Sequence, residues 1–336
     1  MAEGRVPRLT PIERERAKLL GAYAATWIIW GSTFLAIRFG VESIPPFLMA
    51  GVRSVAAGGI LWSWARMRGD VKPTAPQWKA AAVAGALFFL IGHGGLFWAE
   101  QRVASGPASL LVATEHFWIV LIAWLLPGGT RPSRRAAAGV ALGLGGVALL
   151  TLGGGGAEGV DLVGAAAVLL CALTWGTGLL YFGGERRPAS GLYAAGTPLL
   201  AGGAMLLAAS ALFGEPARVT AASFSPIALG SLAYLIVFGS VITFTALTWL
   251  TETQGADRAA SYAYVNPLVA VLLGWAFADE HVGARVLVAG AAIILAVVLI
   301  IRGKQAQAAP PAQASPSSGG ARKTAAARRL REGEEG

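Results

Sequence analysis

Long apolar runs, separated by short polar or glycine- and proline-rich stretches, make up almost the whole of this 336-residue chain. A helix needs about 20 apolar residues to cross the hydrocarbon core of a bilayer. Ten runs approach that length: 20–39, 45–65, 78–98, 105–126, 134–152, 161–182, 190–213, 226–250, 256–277 and 283–301. They are punctuated by Pro45-Pro46, Pro127-Gly128-Gly129, Gly153 to Gly156, Pro188, Pro216 and Asp279-Glu280. Glycine loses the most backbone entropy on ordering, so a run of four ends a helix. The eighth and ninth runs are parted only by the short stretch Thr251 to Gly255. The pattern predicts an all-α integral membrane protein of ten transmembrane helices.

Charge placement predicts how these helices are oriented. If the N-terminus is inside, 22 of the 27 Lys and Arg fall on the inner side. Arg38, Arg102, Arg218 and Arg285 fall outside, and Arg53 lies within the second span. The positive-inside bias then puts both termini in the cytoplasm. The segment 1–19 feeds a run long enough to span, so the first helix is expected to stay rather than be cleaved as a signal. Residues 303–336 are rich in Pro, Ser and Gly and then in Arg, without apolar periodicity, and read as a disordered basic cytoplasmic tail.

The runs also repeat. Trp98 and Trp249, Trp124 and Trp275, and Gly139 and Gly290 are pairs 151 residues apart. Trp30-Gly31 and Trp175-Gly176 share an offset of 145. This defines two five-helix units, 20–152 and 160–302. Because five is odd, the second must lie upside down in the membrane, an inverted repeat of the kind secondary transporters use around a midplane site.

Composition supports this reading. Hydrophobic residues make up 55% of the chain and charged residues 13%, about half the charge of a soluble domain. The 45 glycines suit close helix packing in lipid. A net charge of +9 would suggest nucleic acid only with a basic face on a soluble core, and here the cations sit in loops. The expected partners are the lipid bilayer and a small-molecule substrate, with no nucleic acid, and the chain is expected to be a monomer or weak homodimer. Cys171 is the single cysteine, so no intrachain disulfide forms. No zinc-binding or nucleophile-elbow motif occurs, and no metal or cofactor is expected.

Trp30-Gly31-Ser32-Thr33-Phe34, Arg53 and Asn266-Pro267-Leu268 resemble the EamA family of the drug/metabolite transporter superfamily, over about residues 20–302. The resemblance implies a ten-helix basket in the inner membrane that works by alternating access and exports metabolites, amino acids or toxic compounds. The chain departs from the family at His116, where relatives often carry proline. A broken fourth helix therefore has no proline to make it, whereas Pro267 keeps the break in the ninth.

Ionisable groups within spans are costly and commonly functional. The candidates are Arg53, His93, Glu115 and His116. Glu115 shares a helix face with Trp118, and a carboxylate beside an indole suits an amino-group ligand. Glu115, His93 and His116 are also candidate proton or charge relays, and proton coupling stays open. Arg53 reads as one half of a structural ion pair, with Glu42 or Glu115 as partner. Trp30 and Trp175 occupy matching places in the two units as cavity walls. Tyr262 and Asn266 share a face just before Pro267, which frees a carbonyl. The expected substrate cavity is thus lined by Trp30, His93, Glu115, Trp118, Trp175, Tyr262 and Asn266. The competing readings are a channel, a non-transporting receptor, or an intramembrane hydrolase using Ser105 or Ser109 with His93 or His116.

Overall fold

The computed structural model describes residues 10–129, 131–152 and 160–308. The expected break at Gly153 to Gly156, the start of the N-terminal segment and most of the basic tail lie outside them. Among the described residues the chain is all-helical, and eight helices are long and apolar enough to cross a membrane. These are α1 (Ile12–Val41), α3 (Ala75–Ala99), α4 (Ser105–Leu125), α5 (Arg134–Leu152), α6 (Leu162–Tyr181), α7 (Gly191–Leu212), α8 (Pro226–Gln254) and α10, which runs over Ala284–Ala308. Two further helices, α2 (Pro46–Met67) with its internal Arg53 and the shorter α9 (Tyr262–Phe277), occupy the remaining apolar runs.

Local chemistry shifts several ends. Thr10 and Glu13 form a capping box with Pro11 at the first helical position, so the first helix starts before the expected residue 20. Thr74 and Gln77 do the same for α3. The last helix continues past 303, where the tail was expected to begin.

Three helices contain π-helical segments: Ala25–Ile29 in α1, Ala86–His93 in α3 and Val237–Ile242 in α8. The last two begin 151 residues apart, the offset of the Trp98 and Trp249 pair. A π segment replaces i−4 with i−5 bonding and leaves carbonyls open to other donors, an arrangement frequent at functional sites.

The fourth helix is interrupted although no proline stands at the break, and the break expected at Pro267 is displaced. α4 is interrupted at Ala113 and Thr114 without any proline. The Thr114 hydroxyl instead donates to the Leu111 carbonyl at 2.6 Å, competing with the helical ladder. Near α9 the interruption falls at Ala260 and Ser261, between a short helix (Ala256–Ala259) and Tyr262, and Pro267 lies inside a continuous helix. Glu115 and Tyr262 are each the first helical residue after a break.

α2 packs along α7 and α5 along α10; α1 packs on α8 and α9, and α6 on α3 and α4. The α5 seam is close because Gly139 and Gly146 present no side chain: a Cβ would stand 2.8 Å from the Ala296 carbonyl or 3.0 Å from that of Ala289. Gly143 instead accommodates the Phe117 ring.

Candidate functional site

The break in α4 and the π segment of α3 lie on the wall of one cavity of about 110 Å³, which is lined by residues of α1, α2, α3, α4, α6, α8 and α9. Its position follows from the two Trp-Gly pairs. Gly31 brings α1 against α9, where a Cβ would come within 3.0 Å of the Asn266 carbonyl. Gly176 brings α6 against α4, where a Cβ would come within 3.1 Å of the Glu115 carbonyl. Each neighbouring indole is thereby carried onto the cavity wall.

The wall is largely aromatic. Trp30 meets Phe244 edge-on at 5.4 Å and Tyr262 at 4.9 Å. Trp175 stacks on the His93 imidazole at 5.2 Å with an interplanar angle of 24°. Offset and edge-to-face pairs of this kind are worth roughly 0.5–1.5 kcal/mol beyond burial, enough to keep the wall rigid.

The polar groups are few and of both signs. Glu115 is 4% exposed. Its Oε1 accepts from the Tyr262 hydroxyl at 3.4 Å and lies 3.5 Å from His116 Nδ1. Arg53 is 3% exposed. Its Nε donates to Ser240 Oγ at 3.0 Å and its Nη2 to the Gly239 carbonyl at 3.2 Å, with Phe97 below the guanidinium at 5.7 Å. Both acceptors belong to the π segment of α8. The Gly239 carbonyl also takes the Trp30 indole N–H at 3.0 Å, so one carbonyl in the π segment anchors a cation and an aromatic wall together.

Arg53 is therefore held by α8 rather than by Glu42 or Glu115, and no carboxylate pairs with it among the described residues. The guanidinium and the carboxyl line one cavity without pairing with each other.

Of the residues predicted to line the cavity, Trp30, His93, Glu115, Trp175, Tyr262 and Asn266 meet there. Trp118 does not line it: it lies three residues past Glu115 on the same continuous helix, nearly a turn further along. His116 also stays off the wall and contacts Glu115 from the side. Asn266 has a structural task as well: with its nitrogen facing the α1 π segment, its amide donates to the carbonyls of Thr26 at 3.0 Å and Trp27 at 2.9 Å. Sequence reasoning missed Thr33, Phe244 and Ser109 as wall residues. Phe244 has a positional signal, lying on α8 two residues past its π segment.

The EamA-like transporter family model matches residues 19–152 and 162–302. The inner membrane transporter YedA of Escherichia coli (strain K12) is 37% identical over 292 residues, covering 87% of this chain and 93% of its own length. A probable terminal-alkyne amino-acid exporter of Streptantibioticus cattleyicolor is 28% identical over 85% of this chain and 94% of its own. A solved crystal structure with 19% identity covers 88% of this chain and 99% of its own at a TM-score of 0.58, a likeness of fold. With both halves matched and a relative of that identity spanning nearly its full length, the chain belongs to the EamA-like transporter family and is a multi-pass membrane transporter.

Proposed function

We propose that this transporter moves small zwitterionic metabolites with an apolar or aromatic body, amino acids being the simplest such molecules, out across the inner membrane by alternating access. One observation carries the reading: Arg53 and Glu115 line the same aromatic cavity and are not paired with each other. Opposite charges inside a membrane protein ordinarily pair. Two held apart across a cavity suit a ligand that carries both counter-charges, a carboxylate for the guanidinium and an ammonium for the carboxylate. The rings of Trp30, Trp175 and Phe244 supply the apolar contact. The exporter of amino acids among the relatives agrees with this class and direction.

The same proposal includes ten spans in two inverted units. Its support is the symmetry of the packing: α2 with α7 and α5 with α10 are self-matched pairs, and α1 on α9 mirrors α6 on α4. In this arrangement both termini are cytoplasmic. Reporter fusions at either end are expected to be active only on the cytoplasmic side, and a periplasmic signal from either one contradicts the topology.

The direct test is counterflow in proteoliposomes. Preloaded L-phenylalanine is expected to drive saturable uptake of labelled L-phenylalanine, whereas a channel gives no transient accumulation. The hydrolase alternative gains no support from the site, where the Ser109 hydroxyl donates to the Gly106 carbonyl at 2.6 Å instead of facing a base.

A further inference from the structure

Glu100, just past the end of α3, stood out in no sequence pattern, yet it is fully buried at 0% exposure. Neither carboxyl oxygen has a hydrogen-bond partner among the described residues. An ionised carboxylate left so is among the costliest groups to bury, and in practice it takes up a proton. Its surroundings explain why Glu100 and not its neighbour takes it. Glu280, from the connection between α9 and α10, lies within electrostatic reach. That carboxylate accepts the Ser105 amide at 2.6 Å and the Gly106 amide at 3.0 Å at the start of α4, so its charge is well held. Two nearby carboxylates do not both ionise readily, and the one without donors holds the proton. The other charged groups facing Glu100 are Arg38 of α1, whose Nη1 donates to the Glu100 backbone carbonyl at 2.6 Å, and Arg53 of α2. A metal ion fits poorly: no group of three or more His, Cys, Asp or Glu side chains gathers among the described residues, and a hard cation needs about six oxygens.

Arg53 links this carboxyl to the cavity. It feels the Glu100 charge electrostatically without pairing with it directly, and at the same time lines the cavity wall. We infer that Glu100 is a proton-binding site whose occupancy sets how strongly Arg53 holds an anionic group in the cavity. With Glu100 protonated, the guanidinium has no nearby counter-charge and attracts the ligand carboxylate. With Glu100 ionised, that attraction is partly satisfied and the ligand is released. Linkage is reciprocal, so ligand binding draws in a proton. The inference rests on the cavity reading for its ligand arm, and a second arm stands apart from it.

In the first arm, L-phenylalanine is titrated against the full-length protein in lipid by intrinsic tryptophan fluorescence. Wild-type affinity is expected to fall about ten-fold as pH is raised far enough to ionise Glu100, the size of an ordinary coupling, while Glu100→Gln binds tightly with little change over the same range. A Glu100→Gln protein that follows the wild-type pH curve overturns the coupling. In the second arm, infrared spectroscopy follows the protonated carboxyl stretch without ligand. The band is expected at neutral pH in wild type and in Glu115→Gln, to be weaker in Glu100→Gln than in wild type, and to be missing when both substitutions are combined. Failure of L-phenylalanine to bind wild type refutes the cavity reading alone, and the infrared arm then decides on Glu100. A band unchanged in Glu100→Gln overturns the assignment. If Glu100→Gln does not fold, absence of the band from Glu115→Gln at neutral pH overturns it equally.

Discussion

Glu115→Gln is expected to lower L-phenylalanine transport about ten- to a hundred-fold while the protein stays folded. Gln keeps the shape and an acceptor for the Tyr262 hydroxyl, now 3.4 Å away, so the contact between α4 and α9 survives. What disappears is the negative charge facing the cavity. A hydrogen bond to a charged partner contributes about 1.5–3 kcal/mol, which converts to the stated range at about 1.4 kcal/mol per ten-fold. Thermal stability should hold or rise slightly, since a buried charge has been removed. The measurement is counterflow rate beside melting temperature. A well-folded Glu115→Gln protein with full transport removes Glu115 from the mechanism, and a protein that melts early assigns it a structural task instead.

The second large effect is at Arg53. Arg53→Met loses both bonds to the α8 π segment, those to Ser240 and Gly239. Their loss is partly offset, because Ser240 Oγ still bonds the Leu235 carbonyl and Gly239 still accepts from Trp30. The expected destabilisation is about 2–3 kcal/mol, from charge-assisted bonds whose acceptors keep other partners. Transport of L-phenylalanine should fall to background. Arg53→Lys keeps the charge without the two-pronged reach, so it should recover measurable transport at weaker affinity while remaining less stable than wild type. Equal loss in both variants would mean that Arg53 acts only as a brace between α2 and α8.

These two positions also mark the limit of what the sequence discloses. Hydropathy placed the helices, and the 151-residue offset seen in Trp98 and Trp249 reappears in the π segments beginning at Ala86 and Val237. The paired Trp-Gly motifs pointed to Trp30 and Trp175 as cavity walls because glycine next to tryptophan lets a neighbouring backbone approach. Partners were another matter. Arg53 is held by a backbone carbonyl and a hydroxyl within the π segment of α8, and no residue type announces that partner. Trp118 was expected on the wall because it shares a helix face with Glu115, but it stands three residues further along the same unbroken helix, beyond the cavity. Glu100 looked like an ordinary residue at a helix end. The charged groups around it, Arg38 of α1 and Glu280 beyond α9, come from far along the chain and leave no local signature.

The central claim is that the cavity holds the two ends of one zwitterion between Arg53 and Glu115, and binding by three related molecules tests it most directly. L-phenylalanine carries both charges, phenethylamine only the ammonium, and 3-phenylpropionate only the carboxylate. Trp30 and Trp175 line the cavity and report occupancy by fluorescence. The account predicts that L-phenylalanine binds at least about ten-fold more tightly than either single-charge analogue, the difference expected for losing one charged contact. Phenethylamine binding as tightly as L-phenylalanine, with Arg53→Met leaving both affinities unchanged, would contradict it.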